Sequence, residues 1–262
     1  MSHFEKFSAL IASAPAFAGH PLPAELLMTR EGELETFYSP FDYINPQARV
    51  TICGITPGLQ QATNALNEAR KQLRAGASLE EAKRRAKETA SFSGPMRKNL
   101  IAMLDHIGLH DYLGINSCAR LFDTHSHLVH YTSALRYPVF VNGQNYSGSP
   151  TMLSRTSLRQ QIDNHLVGEI RTLGTGSVYI PLGPKVAEVF QHLQAKGLLR
   201  PEQVLDGMPH PSGANAERIS YFLGTKQRSA LSNKTNPDTL DKSRKQLVQK
   251  MASLSSAARM GQ

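Results

Sequence analysis

Cysteine is almost absent. Cys53 and Cys118 are too few for a disulfide framework or for an iron–sulfur cluster held by four thiolates. No apolar run reaches the roughly 18–20 residues of a membrane span. The stretch 4–18 is apolar and ends in small residues, but Glu5 and Pro15 interrupt it as the core of a signal peptide. Phe4, Phe7, Leu10 and Ile11 fall instead at helical spacing and predict a short packing helix. The expectation is a cytoplasmic protein, kept reduced and not attached to a membrane. Acidic residues are also in short supply. Asp and Glu number 21 against 29 Lys and Arg, and the resulting charge of +8 favours a polyanionic partner, nucleic acid first. Hydrophobic residues, at 40% of 262, are enough for a buried core and exclude wholesale disorder.

Residues 49–55 are β-branched and apolar and are stopped by Thr56-Pro57-Gly58, which reads as a buried strand ending in a tight turn. Residues 78–89 form a polar helix with Ser78 and Glu81 as its capping box, and 95–107 an amphipathic helix with proline at its start. Further strands are expected at 112–119, 177–182 and 204–208, and further helices at 158–173 and 184–195. This alternation indicates an α/β fold with a mainly parallel central sheet of four strands, with ligands bound at the edge where strands end. Residues 123–155 read as a long loop. The domain is expected to span 1–225, with a basic helical insertion around 60–90. Residues 226–262 form a polar, basic linker and a terminal amphipathic helix, either docked back or waiting for a partner.

Three segments then line up on that edge: Gly54-Ile55-Thr56-Pro57-Gly58, Gly114-Ile115-Asn116 and His210-Pro211-Ser212-Gly213. Each alone is most often a plain strand exit or turn. In this order and separation they resemble the uracil-DNA glycosylase superfamily. Tyr38-Ser39-Pro40-Phe41-Asp42 is similar to the segment before that family's first strand, and Ser91-Phe92-Ser93-Gly94 to its base-stacking segment. The likeness covers 37–223; residues 60–90 and the last forty or so lie outside it. It implies a three-layer α/β/α sandwich and a monofunctional DNA glycosylase. Such an enzyme flips out a pyrimidine-derived base and hydrolyses its N-glycosidic bond, with no cofactor and no metal. The partner would be DNA, single- or double-stranded, and the protein a monomer.

The resemblance also implies roles. His210 would donate to the carbonyl oxygen of the departing base, where negative charge develops; a loop histidine bound to backbone is the ordinary alternative. Asn116 carries both a donor and an acceptor for the Watson–Crick edge of a flipped base, or it simply caps a turn. Phe92 would stack on the base, unless it is a core residue. Gly54, Ile55 and Gly58 would line the base through backbone groups. Many members carry Asp, Glu or Asn in the first motif to orient water. Here Thr56 stands instead, and its hydroxyl can position water without accepting a proton at neutral pH. Asp42 is a candidate for the missing base, or it caps its own turn. Gly58 occupies the position of a tyrosine that blocks substituents at C5 in the uracil enzymes, so a C5-substituted pyrimidine could enter.

DNA contact is implied for Ser212, Gly213, Ala214, Asn215 and Arg218 in the last loop and for Arg97 and Lys98. Ala214, at the wedge position, fills a vacated stack poorly, and Asn215, Arg218 or Gln144-Asn145-Tyr146 are possible substitutes. Residues 70–98 hold nine Lys and Arg against three Glu, either a solvated helix face or a DNA-backbone contact. His125, His127 and His130 near Cys118 hint at zinc, but their spacing matches no closed site. The expected substrate is a C5-modified pyrimidine such as (glucosyl-)hydroxymethylcytosine in phage DNA, giving antiviral defence. Uracil excision in DNA repair is the alternative. A catalytically inactive DNA-binding module of the same fold comes next, and a zinc hydrolase last.

Overall fold

The structure, a computed structural model, describes residues 2–19 and 21–260. The helices are α1 (His3–Ser13), α2 (Leu59–Arg74), α3 (Leu79–Ala90), α4 (Pro95–His106), α5 (Leu109–Leu113), α6 (Thr156–Gln161), α7 (Val167–Leu173), α8 (Pro184–Ala195), α9 (Ala216–Phe222) and α10 (Pro237–Met260). The strands are β1 (Leu27–Glu31), β2 (Leu34–Phe37), β3 (Val50–Gly54), β4 (Val129–Ser133), β5 (Val139–Val141), β6 (Gln144–Asn145) and β7 (Val178–Pro181). The fold is α/β, with a mainly parallel three-stranded sheet in the order β4-β3-β7 and an antiparallel four-stranded sheet in the order β1-β2-β5-β6. The chain packs as two compact units. Unit 1 comprises Met1–Pro46, Gly54–Ser93 and Tyr131–Leu173; unit 2 comprises Gln47–Cys53, Gly94–His130 and Gly174–Gln262.

In unit 1, α1 lays Phe4, Phe7 and Ile11 into a core shared with Phe37, Tyr38, Phe41 and Phe140, and Phe7 stacks on Tyr38 with ring centres 4.4 Å apart. α2 and α3 pack through alanines at helical spacing. Ala62, Ala65 and Ala69 face Ala82, Ala86 and Ala90, all fully buried, so the two backbones approach closely. β5 and β6 form a hairpin with Asn142 and Gly143 at its tip, at φ +47° and +74°. The expected helix at 158–173 is present as α6 and α7, joined through one wide turn at Ile162–Leu166.

Unit 2 holds the parallel pair, Val50 opposite Val178 through Cys53 opposite Pro181. β3 is buried on both faces, as its unbroken apolar run predicts. The strand expected at 204–208 makes only single bridges at Val204 and Met208, and the third strand of the mainly parallel sheet is β4. The strand expected at 112–119 does not form. The Asp105 carboxylate, on α4, accepts from the Cys118 N–H (2.6 Å) and the Ser117 hydroxyl (2.7 Å), and these bonds bend the segment where a ladder would need it extended. Residues 123–155 are not a long loop, since they carry β4, β5 and β6.

The terminal helix is docked within unit 2. Leu247 and Met251 are buried, Tyr221 Oη donates to Asp241 (2.8 Å), and Lys250 Nζ donates to the Val204 carbonyl (2.8 Å). No helix among the described residues is long and apolar enough to cross a membrane.

Candidate functional site

In unit 2, the segment after Met208 is fastened from both sides. Asn99 on α4 donates to the Pro211 carbonyl (2.9 Å), and Gly183, at φ +85°, brings α8 against His210. A Cβ placed on Gly183 would lie 3.1 Å from His210 Cβ, so only glycine lets the two backbones meet this closely. His210 is half-buried, and burial holds its imidazole below the ordinary histidine pKa, which favours the neutral ring. The Ser212 N–H donates to His210 Nδ1 (3.3 Å). Nδ1 therefore accepts, and the single ring proton resides on Nε2, which is left as a donor.

The rest of that loop is braced. Asn215 N–H donates to the Ser212 carbonyl (2.9 Å), and Arg218 donates to Asn215 Oδ1 (2.8 Å) and to the Lys234 carbonyl (2.9 Å). Gly213 and Ala214 stand exposed at its tip, while Arg218 is spent on holding it. Asn116, also in unit 2, is exposed on the bend after α5 rather than at a strand end. Gly114 enters that bend at φ +73°, and Asp105 fixes the two residues that follow Asn116.

In unit 1, the turn after β3 is tied to its own neighbours. The Gly54 and Ile55 carbonyls accept from the Ala134 and Leu135 N–H groups (2.8 and 2.9 Å). Phe92 lies against Gly54: a Cβ on that glycine would stand 3.5 Å from the ring. Phe92 itself is buried, has its backbone at φ +49°, and meets Tyr131 edge-on at 5.7 Å. A bulky residue at positive φ is a strained position that the surrounding packing has to hold.

Thr56 Oγ1 donates to the Tyr137 carbonyl (3.0 Å) and accepts from the Val139 N–H (3.2 Å). Its hydroxyl proton is thus committed to backbone, fastening the turn to β5. Asp42 accepts from Tyr38 Oη (2.8 Å) and Tyr137 Oη (2.7 Å). Burial and the Asp42 charge push both phenols well up, so each stays a donor. Tyr137 Oη also lies 3.0 Å from His3 Nδ1.

Gly58 and Asn145 stand together, the carboxamide Oδ1 being 3.6 Å from where a Gly58 Cβ would be and 2.8 Å from the Leu59 N–H it accepts from. Sequence reasoning named Asn145 only as a substitute wedge. The Asn142-Gly143 turn signal could have placed it on a hairpin.

The basic run 70–98 is mostly accounted for within its unit. Arg70 and Arg74 cap the last carbonyls of α1, at Ala14 (2.8 Å) and Ala12 (2.7 Å). Lys83 pairs with Glu80, Arg84 with Glu81 and Glu88, and Arg85 with Glu81. Lys87 is buried and donates to the Tyr43 carbonyl (2.6 Å). In unit 2, the Arg97 guanidinium lies 4.5 Å over the Phe122 ring, and Lys98 is exposed. His125 and His127 stand with ring centres 5.9 Å apart while His130 is buried in β4. Among the described residues, no group of three or more His, Cys, Asp or Glu could hold a metal ion.

No protein-family model matches the chain, and no solved structure matches it. It is 38% identical over 201 residues to the uncharacterized protein YoxB of Bacillus subtilis (strain 168), an alignment spanning 76% of this chain and 78% of that protein. The chain belongs to the same family as YoxB.

Proposed function

We propose that this protein is a monofunctional DNA glycosylase that hydrolyses the N-glycosidic bond of a flipped, pyrimidine-derived base and leaves an abasic site. One observation carries the reading: the Ser212 N–H donates to His210 Nδ1 (3.3 Å), which leaves Nε2–H as the donor end of the ring. In this reaction the C1′–N1 bond breaks with its electron pair going to the base, and charge builds on the carbonyl oxygen. Water then bonds to C1′ and releases a proton to solvent, while the base takes one up. A fixed, neutral N–H donor favours that developing oxyanion more than the ground state. Asn116, on its pinned bend, reads the base edge. The exposed tip at Gly213 and Ala214 approaches the DNA backbone.

Gly58 supports a C5-substituted pyrimidine as substrate, because no side chain of its own walls off that position. Such bases mark phage DNA, so the reading extends to antiviral defence. Uracil removal in repair is the alternative substrate.

A second reading, a DNA-binding module without catalysis, is favoured by the engagement of Thr56 and Asp42. The Thr56 proton is held by backbone, and the Asp42 oxygens each take a phenol. His210→Ala separates the two. The glycosylase loses about 10²–10³ in rate, the typical cost of one oxyanion donor, with DNA affinity retained. A binding module behaves as before.

A further inference from the structure

Unit 1 carries a chain of polar side chains that runs from beneath its surface to solvent. Both oxygens of Asp42 take a phenol proton, Oδ2 from Tyr38 (2.8 Å) and Oδ1 from Tyr137 (2.7 Å). The single hydroxyl proton of Tyr137 is spent there, so its oxygen accepts from His3 Nδ1, 3.0 Å away. Nδ1 therefore holds a proton, and the lone pair of the neutral His3 ring is on Nε2. Tyr38 and Tyr137 are buried, Asp42 is half-buried and His3 is exposed. A carboxylate thus reaches a basic nitrogen at the surface through one phenol.

A second imidazole stands beside the first. The His165 ring centre lies 6.1 Å from that of His3 and 5.0 Å from that of Tyr137, which it meets edge-on. His165 is half-buried and is carried by the wide turn at Ile162–Leu166, a kind of helix insertion that recurs at functional sites. Burial, with the Arg136 charge next, holds His165 down to about 4, so at pH 7 its ring is neutral and offers one N–H. Arg136 itself is committed, its Nε and Nη2 donating to Glu169 Oε1 (2.8 and 2.5 Å).

We propose that this cluster is a hydrolytic site for activated acyl groups, with His3 Nε2 as nucleophile and His165 as donor to the carbonyl oxygen. The substrate class is a thioester or aryl ester. Nε2 bonds to the acyl carbon, and the bond to the thiolate or aryloxide breaks with its electron pair. The ring becomes cationic in that step, and its Nδ1–H is already held by a phenol backed by the Asp42 charge. Water then adds to the acyl carbon and gives one proton to solvent. The C–N bond breaks with its pair returning to Nε2, and a carboxylic acid leaves. The expelled thiolate or aryloxide takes up one proton in exchange. This chemistry stands whether or not the glycosylase reading does.

Two probes test it on the full chain. With p-nitrophenyl acetate, most of the p-nitrophenolate release should disappear in His3→Gln, an exposed substitution that keeps the fold, and fall about tenfold or more in His165→Phe. It should persist in His127→Gln, which removes an exposed imidazole of unit 2. Equal rates for wild type and either His3→Gln or His165→Phe overturn the proposal. With diethyl pyrocarbonate, which acylates neutral imidazoles, peptide masses should show His3 modified about tenfold or more faster than His127. Tyr137→Phe should slow His3 about tenfold, the worth of one hydrogen bond to a charged group, and its ring-nitrogen shifts should lose their preference for Nδ1–H. Asp42→Asn, at a less buried position, gives the same slowing if Tyr137→Phe does not fold. His3 modified no faster than His127, or unslowed in the folded variant, overturns the proposal.

Discussion

Glycines bracket α8 at both ends, and they separate the cost of a strained backbone from the cost of moving His210. Gly183 sits at φ +85°, ψ +165°, a region open essentially to glycine alone, where an alanine costs about 1–3 kcal/mol. Its new Cβ would also stand 3.1 Å from His210 Cβ and 3.5 Å from His210 N, so the histidine backbone must give by a few tenths of an ångström. Gly197, past the far end of the helix, is at φ +71° with nothing within 4 Å of an added Cβ. Alanine there costs only the left-handed conformation, about 1–2 kcal/mol.

Gly183→Ala is therefore expected to cost about 3 kcal/mol and Gly197→Ala about 1 kcal/mol. At ~2–4 °C per kcal/mol, these are losses of ~6–12 °C and ~2–4 °C in Tm. Thermal unfolding followed by circular dichroism measures both, and ring-nitrogen chemical shifts of His210 report its Nε2–H tautomer. Those shifts should move in Gly183→Ala and stay put in Gly197→Ala. Equal losses of Tm, or a His210 ring unchanged by Gly183→Ala, would refute the argument that this contact positions the histidine.

Stability should fall as pH drops below neutrality. Burial holds His165 down to about 4 and keeps His106 and His210 below their ordinary value, so each binds fewer protons folded than unfolded. Between the unfolded pKa of ~6.5 and the folded values, acid therefore favours unfolding. Urea midpoints measured from pH 8 to pH 4.5 should decline across that window, and His165→Gln should shallow the decline; a flat profile contradicts it. On α3, Arg84→Gln and Arg85→Gln should leave DNA affinity and its salt slope unchanged, because both guanidiniums are occupied by Glu81. Lys98→Ala should lower the slope by about one. A fall of about one for each α3 arginine would return that helix to the DNA backbone.

Strong periodic patterns are legible in the sequence alone. The unbroken apolar run of β3, the proline-started α4 and α8 and the Ser78 cap of α3 stand where the spacing puts them. The strand at 112–119 misleads because only Tyr112 and Ile115 in it favour a strand, while the deciding carboxylate, Asp105, lies on α4 and is invisible to local pattern. β1, β2 and the β5–β6 hairpin are short, and their strands are stabilised by one another rather than by their own sequence. The charge of the run 70–98 was legible, but its neutralisation was only half so. Glu–Arg spacing on α3 could be counted, whereas the capping of α1 by Arg70 and Arg74 joins residues some sixty positions apart. Of the candidate site, His210 and its loop could be named from sequence, but the tautomer could not, because it depends on which ring nitrogen the Ser212 N–H reaches.

Release of a free base is the most direct test. Purified protein incubated with oligonucleotides bearing uracil, hydroxymethylcytosine or glucosylated hydroxymethylcytosine, with products identified by mass, should yield the intact base and an alkali-labile abasic site. That release should fall about 10²–10³-fold in His210→Ala. DNA that is bound but yields no base from any of the three would contradict the glycosylase reading.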